Sequence, residues 1–358
     1  MESKELLERF GQTHLIDDLS RFSPQEIAEC TRQLKRWEGV DLRTAWEKRD
    51  AHPSFEPFCD PATSVTGSAA KKAAALFLAG GQGSRLGFEG PKGCYPLLGK
   101  TLFQRHFEKM RSDASAAILT SPLNHQETLS FFEKKNRFGF EKLSFFCQDT
   151  LPLLNEEGNW FWAAPGKIAE GPDGNGSVFA AMERSGVLDR FAQEGVEVFH
   201  VIPVDNPLAD PFDPELAAFH EREGADLSLK CIRLEESEEP MGRLVRIEGR
   251  LAIAEFAELT EGQRIENRYA NTGLLSIELS FAQALAKKHF PLHWAWKSTD
   301  AWIGGKITKK HAWKAERFIV DALGFTQKAC ALCVERNSCY APLKEKKSIG
   351  EIEKLIMV

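Results

Sequence analysis

No stretch of this 358-residue chain approaches the roughly 18 to 20 consecutive apolar residues that a bilayer-crossing helix needs, so a membrane span is not expected. The opening Met1-Glu2-Ser3-Lys4-Glu5 lacks the apolar core of a secretory signal, and the reading is a cytoplasmic protein without membrane partners. Basic charge is not in excess: the formal net charge is -6 and the pI about 5.9. That balance argues against a nucleic-acid partner, which asks for a basic face, and leaves room for a small anion held in a local basic pocket. Internal repeats and low-complexity tracts are missing, and with 42% apolar residues the composition is that of an ordinary soluble globule rather than a disordered chain. A second cysteine pair is missing too. Cys330-x-x-Cys333 stands alone in a segment that alternates like a strand, so the eight cysteines read as thiols of a reducing compartment, not as disulfides or a zinc site. Finally, no Gly-Lys-Ser/Thr triplet follows the glycine-rich segment near residue 80, which excludes a Walker A loop.

That segment is the most informative feature present. Leu78-Ala79-Gly80-Gly81-Gln82-Gly83-Ser84-Arg85-Leu86-Gly87 follows an apolar run and leads to Pro91-Lys92-Gly93. Glycines here let backbone N–H groups approach a ligand, and Arg85 and Lys92 add the positive charge that a polyphosphate demands. A bare turn has no use for both cations. A dinucleotide fingerprint fits less well, because Leu86 stands where its third glycine belongs and no acidic residue ends a second strand at the required distance.

Short apolar runs then alternate with amphipathic stretches. Strands are expected at 73–78, 116–120, 143–147, 196–203 and 227–232, and helices at 102–111, 124–135, 177–184 and 214–223. This rhythm predicts an α/β fold, a mixed and mostly parallel sheet with helices on both faces, with ligands at the strand carboxyl ends. Residues 1–50 carry helical periodicity and a helix start at Ser23-Pro24-x-Glu26, giving an N-terminal helical extension; 70–345 would form the catalytic domain and 346–358 a short C-terminal helix. After residue 232, hairpin-like segments around Glu248-Gly249 read as an antiparallel insertion walling a second subsite, and Trp294, Trp296 and Trp302 read chiefly as core packing.

Two further segments carry chemistry. Gly171-Pro172-Asp173-Gly174-Asn175-Gly176 is a second glycine-rich turn entering a helix, equally suited to a ligand or to a plain turn. The run Val198 to Asn206 delivers Asp205 just past a hydrophobic strand, where a carboxylate could share a hard cation with phosphate oxygens or merely cap a helix.

Taken in order, the glycine loop with Pro91-Lys92-Gly93, Cys147-Gln148-Asp149-Thr150-Leu151-Pro152, Pro172-Asp173-Gly174-Asn175-Gly176, Val204-Asp205-Asn206, Glu255-Phe256, Asn271 and Ala341-Pro342-Leu343-Lys344 resemble the eukaryotic-type UDP-sugar pyrophosphorylases, and most of all their N-acetylglucosamine branch. The resemblance covers roughly residues 70 to 345 and implies a Rossmann-like, GT-A-like nucleotidyltransferase fold. It implies an enzyme joining UTP and N-acetylglucosamine 1-phosphate, with glucose 1-phosphate the runner-up and Mg2+ as cofactor. By the same resemblance Leu78, Ala79, Gly80, Gly81, Gln148, Pro172 and Gly174 face the nucleotide, and Asn175, Glu255 and Asn271 the sugar. Arg85, Lys92 and Lys344 become the catalytic cations and Asp205 the metal ligand. A glutamine amide offers uracil both a donor and an acceptor, which gives Gln148 a physical reason to select that base. The chain departs from the family at Ser177 and Glu170, where relatives often carry glycine and methionine, and it runs only to Val358, so the family's further C-terminal β domain is expected to be missing and no oligomeric state follows.

Overall fold

The computed structural model describes residues 2–51 and 53–357, which divide into two compact units. The first takes the residues up to 51 with 149–174 and 291–318; the second takes 53–148, 175–290 and 319–357.

The second unit is built on the expected sheet. Ala73–Leu78 lies between Ser115–Thr120 and Val198–Pro203, with Leu143–Cys147 beyond Ser115–Thr120, all four parallel. Ala75, Phe77 and Ala79 point into a cluster with Phe103, Phe107 and Phe132 from the covering helices Leu102–Phe107 and His125–Lys134. The alternate residues Ala74 and Leu76 are equally buried, as a parallel strand covered on both faces requires. Past Val198–Pro203 the sheet turns antiparallel through Tyr269–Glu278, which pairs Leu227–Arg233, and Ala329–Val334 joins parallel to the latter. The hairpin Arg243–Ile247 and Arg250–Ala254 docks on the same sheet at Arg243 against Ala270. The expected antiparallel insertion is this hairpin, and it continues the central sheet, with Arg243 fully buried at the junction. A helix does close the chain, Ile349–Met357, packing Ile352 with Leu86, Leu97 and Leu343.

In the first unit the N-terminal helices Glu2–Arg9, Pro24–Arg36 and Leu42–Glu47 form as expected, the second behind a Ser23/Glu26 capping box. They are part of a larger body. The Gln33 amide bonds both backbone groups of Ile168, at 3.1 and 2.9 Å, and the Trp37 indole donates to Thr150 O at 2.9 Å. The body is completed by a long hairpin, His293–Ile303 with Lys306–Glu316, in which Trp302 packs 5.6 Å from Phe22 while Trp296 is 39% exposed and lies against His311 and Trp313. Core packing therefore describes Trp302 but not Trp296.

Candidate active site

Four parallel strands of the second unit end on one edge, and the residues leaving that edge are Ala79, Ser121, Gln148 and Val204. Crossover connections place ligand-facing loops at this edge in open α/β sheets. The glycine loop is a folded object rather than a slack one. Gly83 N donates to Gly90 O at 2.9 Å, Lys92 N to Gly81 O at 3.0 Å, and Ser84–Leu86 makes a short 3-10 turn that carries Arg85 outward into solvent. Gln148 is buried; its backbone N–H donates to Thr120 O at 3.0 Å, and its amide nitrogen would lie 3.1 Å from a Cβ on Gly80. Leu78, Ala79, Gly80, Gly81 and Gln148 thus converge. The lack of a side chain at Gly80 is what lets the amide approach the loop backbone.

Lys92 is 7% exposed, and its ammonium meets Asp205 Oδ2 at 3.0 Å. Asp205 and the residues on either side of it are each held by a hydrogen bond. Beneath it, His106 Nε2 lies 3.1 Å from Val204 O, and burial pushes that imidazole down to about 3, so the ring stays neutral and must donate through Nε2. Beside it, the buried Asn206 side chain donates to Cys339 O at 2.7 Å and accepts from Ala341 N at 3.0 Å. Leu343 N then donates to Asp205 O at 2.7 Å. These bonds bring the segment 339–343 back to a strand end more than a hundred residues earlier, and the exposed Lys344 follows directly on the Leu343–Asp205 bond. The following Lys346 ammonium rests against Gly87, so the tail lies along the glycine loop.

The expected sugar-facing residues partly gather. Asn271 N donates to Gly242 O at 3.0 Å, and Glu255 Oε1 lies 3.5 Å from the position a Gly242 Cβ would take, so Glu255 and Asn271 flank one glycine. Asn271 Oδ1 accepts from Gly273 N at 2.9 Å, and Gly273 in turn packs on Pro203, next to the strand end that bears Asp205. Asn175 Oδ1 accepts from Ile319 N at 2.9 Å, which anchors its side chain. Pro172 and Gly174 belong to the first unit, where Pro172 pairs with Thr150. Gly174 has φ +89, and a Cβ there would fall 2.3 Å from Arg317 O, a space set by the Arg317–Asp173 backbone bond at 2.8 Å and ion pair at 3.1 Å.

Among the described residues no three His, Cys, Asp or Glu side chains gather into a cation cage. Asp205 is the carboxylate beside Lys92. One carboxylate fits a hard cation whose remaining ligands are water and substrate phosphate oxygens. Sequence reasoning missed Asn124, Ser121 and Asn206, which hold the loops; only the serine and asparagine types after strand ends hinted at them.

Comparison with known proteins bears on the fold and the family. The chain is 31% identical over 313 residues to a probable UDP-N-acetylglucosamine pyrophosphorylase of Dictyostelium discoideum, covering 76% of this chain and 64% of that protein. It is 32% identical over 285 residues to a probable UDP-N-acetylglucosamine pyrophosphorylase of Encephalitozoon cuniculi, covering 76% of this chain and 81% of that one. The chain thus spans less than two thirds of the Dictyostelium relative's length. Among solved structures, the uridine diphosphate N-acetylglucosamine pyrophosphorylase of Trypanosoma brucei superposes with a TM-score of 0.82 over 98% of this chain and 84% of that one, at 24% identity, which carries the fold. The family described as UTP--glucose-1-phosphate uridylyltransferase matches residues 45–357, and the chain belongs to it.

Proposed function

We propose that this protein is a cytoplasmic, Mg2+-dependent uridylyltransferase that joins UTP and N-acetylglucosamine 1-phosphate to give UDP-N-acetylglucosamine and pyrophosphate. The observation that carries the reading is the Lys92–Asp205 pair at the strand edge, with Lys344 one residue beyond the Leu343–Asp205 backbone bond. Relatives named for the N-acetylglucosamine reaction favour that sugar, while the family's description as UTP--glucose-1-phosphate uridylyltransferase favours glucose 1-phosphate as the second reading.

In the reaction, an oxygen of the sugar phosphate attacks the α-phosphorus of UTP in line, the bond to the β-phosphate oxygen breaks, and pyrophosphate leaves. The attacking oxygen is already anionic at neutral pH, so no side chain need remove a proton. What the chain must supply is alignment and charge neutralisation. Gln148 and the Leu78–Gly81 backbone seat the uracil; Arg85, Lys92 and Lys344 neutralise the two anions; Asn175, Glu255 and Asn271 read the sugar hydroxyls. Asp205 would hold magnesium together with phosphate oxygens, and the ion would neutralise charge on the triphosphate and its leaving group. The test is pyrophosphate release from UTP with each sugar phosphate, with and without EDTA. Turnover with N-acetylglucosamine 1-phosphate that EDTA abolishes and Mg2+ restores is expected; equal or greater turnover with glucose 1-phosphate would move the assignment to the second reading.

A further inference from the structure

We infer that Asn124 is the positioning residue of the uridine-facing loop, fixing the backbone of Ala79, Gly80 and Gly81 against the Gln148 amide. The inference rests on the uridylyltransferase reading above. Asn124 is 1% exposed and sits just after the carboxyl end of Ser115–Thr120. Its Nδ2 donates to Ala79 O at 2.8 Å and to Gly81 O at 3.1 Å, and its Oδ1 accepts from Ser121 N at 2.9 Å. The amide orientation is forced, since both carbonyls can only accept and the Ser121 N–H can only donate. The carbonyl between them is held as well: Ser121 Oγ donates to Gly80 O at 2.7 Å. Three consecutive loop carbonyls are thus tied to one turn.

The same turn reaches Gln148 from the other side. Gln148 N donates to Thr120 O at 3.0 Å, and the Thr120 hydroxyl donates to Phe146 O at 3.0 Å, so it must accept from His125 Nδ1 at 2.6 Å. Loop and glutamine therefore share one frame. Because three loop carbonyls point into the turn, the opposite side of the loop backbone is left toward the Gln148 amide, which stands 3.1 Å from where a Gly80 Cβ would be. The spacing between loop backbone and amide is what selects a base edge, and Asn124 sets it without touching the nucleotide.

The discriminating variant is Asn124→Asp, which keeps the shape and the acceptor for Ser121 N but turns a donor into a charged acceptor facing two carbonyls. With the full chain, the KM for UTP should rise by about tenfold or more, since buried carbonyls lose their donor. Saturated turnover and the KM for the sugar phosphate should stay within about twofold, the margin left to a residue outside the reacting atoms. The preference for UTP over CTP should narrow, which loss of stability alone would not produce. Should Asn124→Asp not fold, Ser121→Ala removes only the donor to Gly80 O and should shift the same two readouts in the same direction. A folded variant with the wild-type KM for UTP and the wild-type base preference overturns the inference while leaving the proposed function standing. Calorimetry with UDP separates the two: wild-type protein that binds no UDP removes both, whereas wild-type and Asn124→Asp proteins that bind it equally remove the inference alone.

Discussion

Lys92 and Lys344 carry the same charge in opposite surroundings, and that difference separates their roles in stability from their roles in turnover. Lys92 is buried against Asp205, whereas Lys344 is exposed on the returning segment. Asp205→Asn should therefore leave an ammonium without its counter-charge and lower stability by about 2 to 3 kcal/mol, below the range for a fully enclosed pair because Asp205 keeps part of its side chain in solvent. Lys344→Ala should leave stability within about 0.5 kcal/mol, as at most exposed sites. Turnover should nevertheless fall by about 100- to 1000-fold in Lys344→Ala if its ammonium neutralises a transition-state phosphate. Urea unfolding paired with initial rates checks both, and wild-type turnover in Lys344→Ala would take this residue out of the chemistry. At this scale the sequence showed the chemical types but not the supports. Gln148 and Asp205 follow strand ends and could be found there, while the value of Asn124 or Asn206 lies in which carbonyls the fold sets beside them, and no local pattern encodes that.

Elements were legible where an apolar run is bounded by glycine or charge. Ala73–Leu78, Leu143–Cys147 and the helix Pro214–Glu223 form with the expected bounds, whereas the helix expected over 102–111 stops at Phe107, beyond which Lys109 ties its ammonium to Pro207 O and Ala209 O. The long hairpin over 293–316 went unread because its tryptophans suggested packing rather than period-two alternation. Its turn signal was nonetheless present: Gly304 and Gly305 both adopt positive φ, +59 and +82, as a two-residue primed turn requires. Gly305→Val should consequently destabilise the hairpin by about 1 to 2 kcal/mol, because a β-branched residue resists that backbone region. Gly174→Ala should be worse, since it adds steric overlap with Arg317 O to the same strain, costing about 3 kcal/mol or more. Thermal melts of the two variants check the order, and a Gly174→Ala protein as stable as wild type would contradict the packing seen at Arg317.

The whole molecule distributes its reporters and its acid-sensitive groups unequally between the two units. All eight tryptophans, Trp37, Trp46, Trp160, Trp162, Trp294, Trp296, Trp302 and Trp313, belong to the first unit. In the second, burial pushes His106 down to about 3 and His200 down to about 4 from an ordinary 6.5. Both rings are buried and already bonded, His106 to Val204 O at 3.1 Å and His200 Nδ1 to Ser276 Oγ at 2.6 Å. The sign follows from which state takes up protons. Below pH 6.5 the unfolded chain protonates these histidines while the folded one does not, so stability falls as pH drops from about 6.5 toward 4, and above 6.5 the two contribute no slope. The loss belongs to the second unit. Urea midpoints at pH 7, 5.5 and 4.5 should therefore decline when followed by hydrogen exchange in the parallel strands, and decline less when followed by tryptophan emission. Replacing His106 and His200 by glutamine together should flatten the first trend at whatever base stability the double variant retains. An unchanged pH slope in that variant would place the acid sensitivity elsewhere.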